Sequence, residues 1–112
     1  MKTAVRHRDG ITILEPRGKI TIGAGDIAMR DAVYESLDAG SKSILLDMNG
    51  VTTIDSSGVG ELVSAFTTVS NRGGKLKLLN LPPKVMDILM ITQLITVFEV
   101  YDDEDEAIAS FS

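Results

Sequence analysis

The sequence predicts an α/β fold built on a largely parallel sheet, with an antiparallel hairpin at its start. Three observations carry that expectation. From Ile20 onward, short extended segments alternate with stretches of helical periodicity, the pattern of parallel strands linked through helices. Ile44-Leu45-Leu46 is a continuous apolar run, the mark of a strand covered on both faces. Asp9-Gly10 stands between two extended runs, Lys2 to Arg8 and Gly10 to Pro16, and Asp-Gly is a type I′ hairpin signal.

Within the hairpin, Ile11, Ile13 and Glu15 alternate with Thr12 and Leu14, and the hairpin is expected to add antiparallel edge strands. His7 lies beside the turn and reads as a solvated strand residue, because nothing near it could pair it into catalysis. Arg17-Gly18-Lys19 breaks the run, and Ile20-Thr21-Ile22 resumes it as a short extended piece. Gly23-Ala24-Gly25-Asp26-Ile27-Ala28 then fits G-x-G-x-x-A, with Asp47 closing the next strand where a dinucleotide site places its ribose-binding acid. Against a small nucleotide-binding domain using Gly23-Ala24-Gly25, 112 residues leave little room for a second nucleotide half. The hairpin also sets the supposed first strand in an antiparallel context. In the plainer account the glycines permit a sharp turn and Asp26 caps the helix. That helix is predicted from about Ile27 to Ala39, with Met29, Ala32, Val33, Ser36 and Leu37 inward and Gly40 as its stop. Asp26 and Arg30 would pair weakly on its outer side.

Ser43 to Asp47 reads as the buried strand, followed by a turn at Asn49-Gly50 and a tight approach to a second helix. Val59, Leu62, Val63, Phe66 and then Val69 or Ser70 follow helical spacing. Asp55-Ser56-Ser57-Gly58 puts two hydroxyls at the start of that helix. A helix N-terminus carries unpaired N–H groups and about half a positive charge, so it suits a capping oxygen or a phosphate. On the residues alone, a serine that only caps the helix and a serine that accepts a phosphate both remain open.

Asn71-Arg72-Gly73-Gly74 ends the helix, and Lys75 to Leu79 is the next strand. Pro82-Pro83 opens a third helix whose Val85, Met86, Ile88, Leu89 and Met90 exceed one buried stripe; the surplus is either core or a partly exposed partner surface. Thr92 to Thr96 leads to a final strand, Val97 to Tyr101. The run Asp102 to Glu106 starts a last helix ending near Phe111, with Ala107, Ile108 and Phe111 inward; acids in a first helical turn favour the helix dipole.

The 112 residues suit one domain, large enough to bury roughly two-thirds of its unfolded surface without metal or disulfides. No cysteine is present, which excludes thiolate metal sites and cysteine nucleophiles. No apolar run approaches the ~20 residues that span a bilayer, and Met1-Lys2-Thr3-Ala4-Val5-Arg6 is not a signal peptide. A soluble, cytoplasmic protein without a membrane partner is expected. The net charge of −5 is accounted for by the single acidic run near the end. With no basic stripe to meet phosphates, nucleic acid is not an expected partner. Enzyme patterns fail as well. Asp55 stands where G-x-S-x-G needs glycine before Ser57, and Ile54 where Ser56 would need it. Gly74-Lys75 lacks both the first P-loop glycine, replaced by Val69, and its Ser/Thr, replaced by Leu76. Asp47 and Asp55 are two acids only, too few to indicate a cation, so no metal and no cofactor are expected. The chain reads as a substrate and binding partner, not a catalyst.

Asp55-Ser56-Ser57-Gly58-Val59-Gly60, following Leu46-Asp47-Met48-Asn49-Gly50-Val51, resembles the signature of the STAS domain family. Within it, the chain resembles the bacterial anti-sigma factor antagonists, or anti-anti-sigma factors, over nearly its whole length. The resemblance implies a single domain, 1–112, with a mixed, mostly parallel sheet of four to five strands, an N-terminal hairpin and about four helices. It implies that Ser57 is the phosphorylated residue. It further implies that the unphosphorylated form binds an anti-sigma factor that is also a serine kinase of the GHKL ATPase class, and so releases a sigma factor. The kinase would use ATP and magnesium, and a metal-dependent serine phosphatase would reverse the step. The partner surface would comprise Asp55, Ser56, Ser57, Gly58, Val59 and Gly60, with Gly23 and Gly25 beside them. A homodimer is compatible with the family. A phosphate adds about −1.5 to −2 charge and three acceptor oxygens. The N–H groups near Val59 and Gly60 are expected to receive it, while Asp55 and acids on the partner are repelled. Gly58 and Gly60 would let a kinase come close to the backbone. The Gly23-Ala24-Gly25 turn departs from the family pattern. STAS domains also serve in sulfate transporters, stress-signalling scaffolds and lipid-transport complexes, not all with a phosphorylated serine.

Overall fold

A computed structural model describes residues 2–112, except for the side chains of residues 2 and 24–26. Asp9 and Gly10 both take positive φ, 53° and 80°, as a type I′ turn requires. They fold β1 (Lys2–Arg8) antiparallel onto β2 (Ile11–Ile20). After β2 come α1 (Ala24–Asp38), β3 (Ser43–Asp47), β4 (Val51–Ile54), α2 (Ser56–Asn71), β5 (Lys75–Leu79), α3 (Pro83–Ile91), a 3-10 turn (Leu94–Thr96), β6 (Val100–Tyr101) and α4 (Glu104–Ser110). The main path of the sheet is β1-β2-β3-β5-β6, parallel at every step after the hairpin.

Two features of this sheet depart from the sequence reading, and they have one cause. Arg17-Gly18-Lys19 does not end a strand: β2 continues through it for ten residues. Gly18, at φ 95°, forms a bulge there, a conformation glycine adopts without penalty from a Cβ. Its N–H donates to the Gly50 carbonyl at 2.9 Å. Beyond the bulge, β2 pairs with β4. Val51 to Ile54, expected as an approach to a helix, is thus a sixth strand off the main path of five. Its pattern, two buried ends around two exposed threonines, lacks the alternation that marks a strand in sequence. Only β1 is an antiparallel edge; β2 lies between β1 and β3, and Ile11 to Leu14 are all buried.

Because successive strand residues face opposite sides, the apolar runs feed two cores. Leu14, Ile44, Leu46, Leu76 and Leu78 face Met29 and Val33 of α1, Leu62 and Val69 of α2, and Val85 and Leu89 of α3. Ile11, Ile13, Leu45 and Leu79 face Ala107 and Ile108 of α4. Lys77 falls on the α4 side, 3% exposed, with Nζ donating to the Ser110 carbonyl at 2.9 Å and its Oγ at 3.0 Å. Its cation lies at the negative end of the α4 dipole and 4.7 Å from the Phe111 ring.

Element ends shift where local chemistry differs from expectation. Gly23 caps α1, which starts at Ala24, so Asp26 is already inside the helix; the expected Asp26 cap and Asp26–Arg30 pair involve a side chain outside the described residues. Met29, Val33, Ser36 and Leu37 are buried as expected and Ala32 is half-buried. In α2 the inner stripe is Val59, Leu62, Ala65 and Val69, with Val63 and Phe66 half-buried. The last strand is only Val100–Tyr101, because the 3-10 turn consumes the preceding segment and Phe98 packs edge-on against Phe66, centroids 5.4 Å apart. Among the described residues, no helix is long and apolar enough to cross a membrane.

Three acids of the run, Asp103, Glu104 and Asp105, hold local structure. Asp103 caps α4, its Oδ2 accepting the Glu106 N–H at 3.1 Å. Glu104 accepts from both Arg6 and Arg8 of β1, Asp105 from Arg8, and Arg6 also donates to Glu15. The hydrogen bond from Arg6, then that from Arg8, hold the Glu104 carboxyl below the usual carboxylate range against the effect of its partial burial. A depressed carboxyl pKa stabilises the fold above the unfolded-state value, and that contribution is lost as pH falls through the folded-state value. Glu104→Gln should therefore lower stability by up to about 1 kcal/mol near neutrality and flatten its fall in acid. Urea midpoints measured from pH 6 to pH 3 check this; identical acid slopes in the two proteins would refute it.

Candidate functional site

Asp55 joins the end of β4 to α2. It caps the helix, a role that the sequence reading had left open for a serine: Oδ1 accepts the Gly58 N–H at 3.0 Å. Its other oxygen, Oδ2, accepts the Ile22 N–H at 3.1 Å. The Asp55 main chain is tied as well, its carbonyl accepting from Val59 N–H at 2.9 Å and its own N–H donating to Ile20 at 3.4 Å. The hydrogen bond from Gly58, followed by that from Ile22, pulls the Asp55 carboxyl below the usual range, so it is charged at neutral pH.

Neither serine is the cap. Ser56 is the first helical residue and exposed; Ser57 is the second and half-buried. The N–H groups expected to receive a phosphate already have partners in the free chain. Val59 N–H is bonded to Asp55, and Gly60, a turn into the helix, lies where N–H groups enter the helical ladder. Of the first turn, the N–H groups of Ser56, Ser57 and Gly58 lie outside that ladder, and those of Gly58 and, with a smaller effect, Ser57 turn to the Asp55 carboxylate.

The two glycines of the motif differ in kind. A Cβ on Gly58 would lie 2.2 Å from the Ile20 carbonyl oxygen and 2.6 Å from Ile54 Cγ1. Gly58 is therefore a contact between α2 and the end of β2, facing inward, and offers no approach to a kinase. Gly60 is exposed, and a Cβ there would meet nothing within 4 Å. Val59 is buried in the core and positions the segment from below. Gly23, at φ 97°, forms the exposed turn that follows Ile22, and the Asp55–Ile22 bond brings that turn to the start of α2. Gly25 lies in the α1 backbone, and its surroundings fall outside the described residues.

Ile22 was not singled out from the sequence, yet it is 77% exposed beside this site, with Ile27 also exposed nearby in sequence. The available signal was an isoleucine placed after the strand's last buried residue and before a glycine turn. On α3, Val85 and Leu89 are core, whereas Met90 and Ile91 are exposed, so the apolar surplus of that helix does reach the surface. Asp47, the acid a dinucleotide pattern would assign to ribose, has Oδ1 engaged by Asn49 N–H at 3.1 Å and Asn80 Nδ2 at 3.4 Å.

Comparison with known proteins gives a consistent picture. A Thermotoga maritima protein assigned as an anti-sigma factor antagonist is 29% identical over 99 residues, 88% of each chain. A crystal structure of an anti-sigma factor antagonist so assigned from Thermotoga maritima matches with a TM-score of 0.89 and 26% identity, covering 97% of this chain and 93% of that one. The Bacillus cell fate determinant SpoIIAA in its phosphorylated form shares the fold, with a TM-score of 0.75 at 18% identity over 99% of this chain and 100% of that one. The family model of the STAS domain matches residues 2–107, and the chain therefore belongs to the STAS domain family.

Proposed function

We propose that this protein is an anti-sigma factor antagonist switched off by phosphorylation of Ser57. The observation that supports this most is the cap: because Asp55 takes that role, the Ser57 hydroxyl is not spent on it, and it stands in the first turn of α2 beside a charged carboxylate. The names of the relatives and the existence of a phosphorylated SpoIIAA of the same fold point the same way.

The unphosphorylated chain binds an anti-sigma factor that is also a GHKL-class serine kinase, and the sigma factor is released. In the kinase step the Ser57 Oγ–P bond forms as the bond between the γ-phosphorus and the bridging oxygen of ADP breaks. The hydroxyl proton passes to a base on the kinase. A metal-dependent serine phosphatase hydrolyses the ester and restores the binding form. This protein acts in the cytoplasm, and the contact surface includes Asp55, Ser56, Ser57, Gly60 and the Gly23 turn.

The added phosphate carries about −1.5 to −2 charge into a first turn whose Gly58 and Val59 N–H groups already serve Asp55. The helix can neutralise little of it, so the charge faces outward and repels acids on the partner. A tenfold loss of affinity needs only about 1.4 kcal/mol, within reach of one such repulsion. Titration calorimetry against the GHKL-class serine kinases of the source organism tests the reading. One of them should bind the unmodified chain stoichiometrically, and treatment with ATP and magnesium should weaken binding at least tenfold. Equal binding before and after labelling would contradict it.

A further inference from the structure

We infer that Asp55 is a positioning residue, a two-pronged clasp that sets where Ile22 stands relative to Ser57. This deepens the proposed function and rests on it for its consequence in recognition, though the clasp itself is a property of the free chain.

Asp55 sits between two segments far apart in sequence. One carboxylate oxygen holds the first turn of α2 through Gly58 N–H, and the other holds the segment leaving β2 through Ile22 N–H. The two segments are already in tight contact below the clasp, where Gly58 has no room for a Cβ against the Ile20 carbonyl. Past Ile20, β2 has ended and its ladder with β4 is over, so Ile22 N–H has no strand to bond to. The Asp55 oxygen supplies that missing acceptor. Ile22 points its side chain into solvent, 77% exposed, while its main chain is fixed by a hydrogen bond to a charged acceptor. The geometry spends an acceptor on holding Ile22 still, next to the serine that the proposed function modifies. Asp55 therefore acts through its neighbours, with both oxygens turned to this chain's own N–H groups.

An asparagine separates the two prongs. Asp55→Asn keeps a carbonyl oxygen to cap α2, and asparagine is as good a cap as aspartate. Its amide nitrogen cannot accept from Ile22 N–H. Asp55→Ser, with one hydroxyl oxygen, should behave alike. Amide hydrogen exchange followed by NMR on the intact chain reads each prong. In both variants the Ile22 amide should exchange at least about tenfold faster than in the wild type, the loss of a bond to a charged group. Exchange at Gly58 should stay within a few-fold.

The kinase that labels Ser57 then reads the consequence: KM for the Asn variant should rise several-fold with kcat little changed, as expected when a recognition element is loosened and the acceptor hydroxyl is not. Unchanged exchange at Ile22 would overturn the clasp. Faster exchange with unchanged KM would overturn its role in recognition. If no kinase labels the wild-type chain, the phosphorylation reading fails by itself, and the exchange experiment still decides whether Asp55 holds Ile22.

Discussion

Gly58→Ala is expected to destabilise this protein by about 3 kcal/mol, lowering its melting temperature by roughly 10–20 °C. The alanine Cβ would be placed 2.2 Å from the Ile20 carbonyl oxygen, a main-chain atom fixed in β2 and unable to swing aside. Relief would require α2 to lift away from β2, which loosens Val59 and Leu62 in the core and strains the Asp55 cap bonded to Gly58. The neighbouring Gly60→Ala is the matched control. With nothing within 4 Å of its Cβ, it exchanges a poor helix former for the best one and should stabilise by roughly 0.5–1 kcal/mol. Thermal unfolding of the two variants should move in opposite directions. A Gly58→Ala protein as stable as the wild type would mean that α2 does not sit on β2 as described.

Ser57→Asp is expected to fold well yet bind its partner at least tenfold more weakly, a loss of about 1.4 kcal/mol. An acid in the first turn of α2 is favoured by the helix dipole, but here it adds to a carboxylate already on the site. The dipole is therefore partly satisfied, and the second charge projects toward the partner. Ser57→Ala should change stability by only about a few tenths of a kcal/mol, since Asp55 provides the cap and alanine is a better helix former. It should bind as the unmodified protein does and stay bound when ATP and magnesium are supplied. Ser56→Ala, changing an exposed hydroxyl, should behave as the wild type. Calorimetry of the three variants checks the set, and equal affinity for the Asp and Ala forms would remove the electrostatic basis of the switch.

The parts of the fold that were legible in the sequence are those written in single, local patterns. Ile44-Leu45-Leu46 announced a strand buried on both faces because each face does have its own core. Asp9-Gly10 announced a hairpin because both residues must take positive φ. The inner face of α1 and the acidic start of α4 followed equally from spacing and from dipole. What escaped depends on distant pairing. Val51 to Ile54 is a strand only because the Gly18 bulge delivers the end of β2 to it. At the site, the Asp-Ser-Ser-Gly motif showed where α2 begins but not which of three oxygen-bearing residues caps it. Aspartate and serine are nearly equal caps, and the second oxygen that distinguishes Asp55 is used by Ile22 N–H, thirty-three residues away. The inward role of Gly58 was hidden for the same reason, since the atom that forbids a Cβ belongs to Ile20.

The central claim, that Ser57 is the residue on which this protein is switched, is tested most directly by phosphopeptide mapping after incubation with the GHKL-class serine kinases of the source organism and ATP-magnesium. One phosphate on the intact chain, located on Ser57 and absent from the Ser57→Ala variant, is the predicted result. A phosphate on Ser56 with Ser57 unmodified would contradict it.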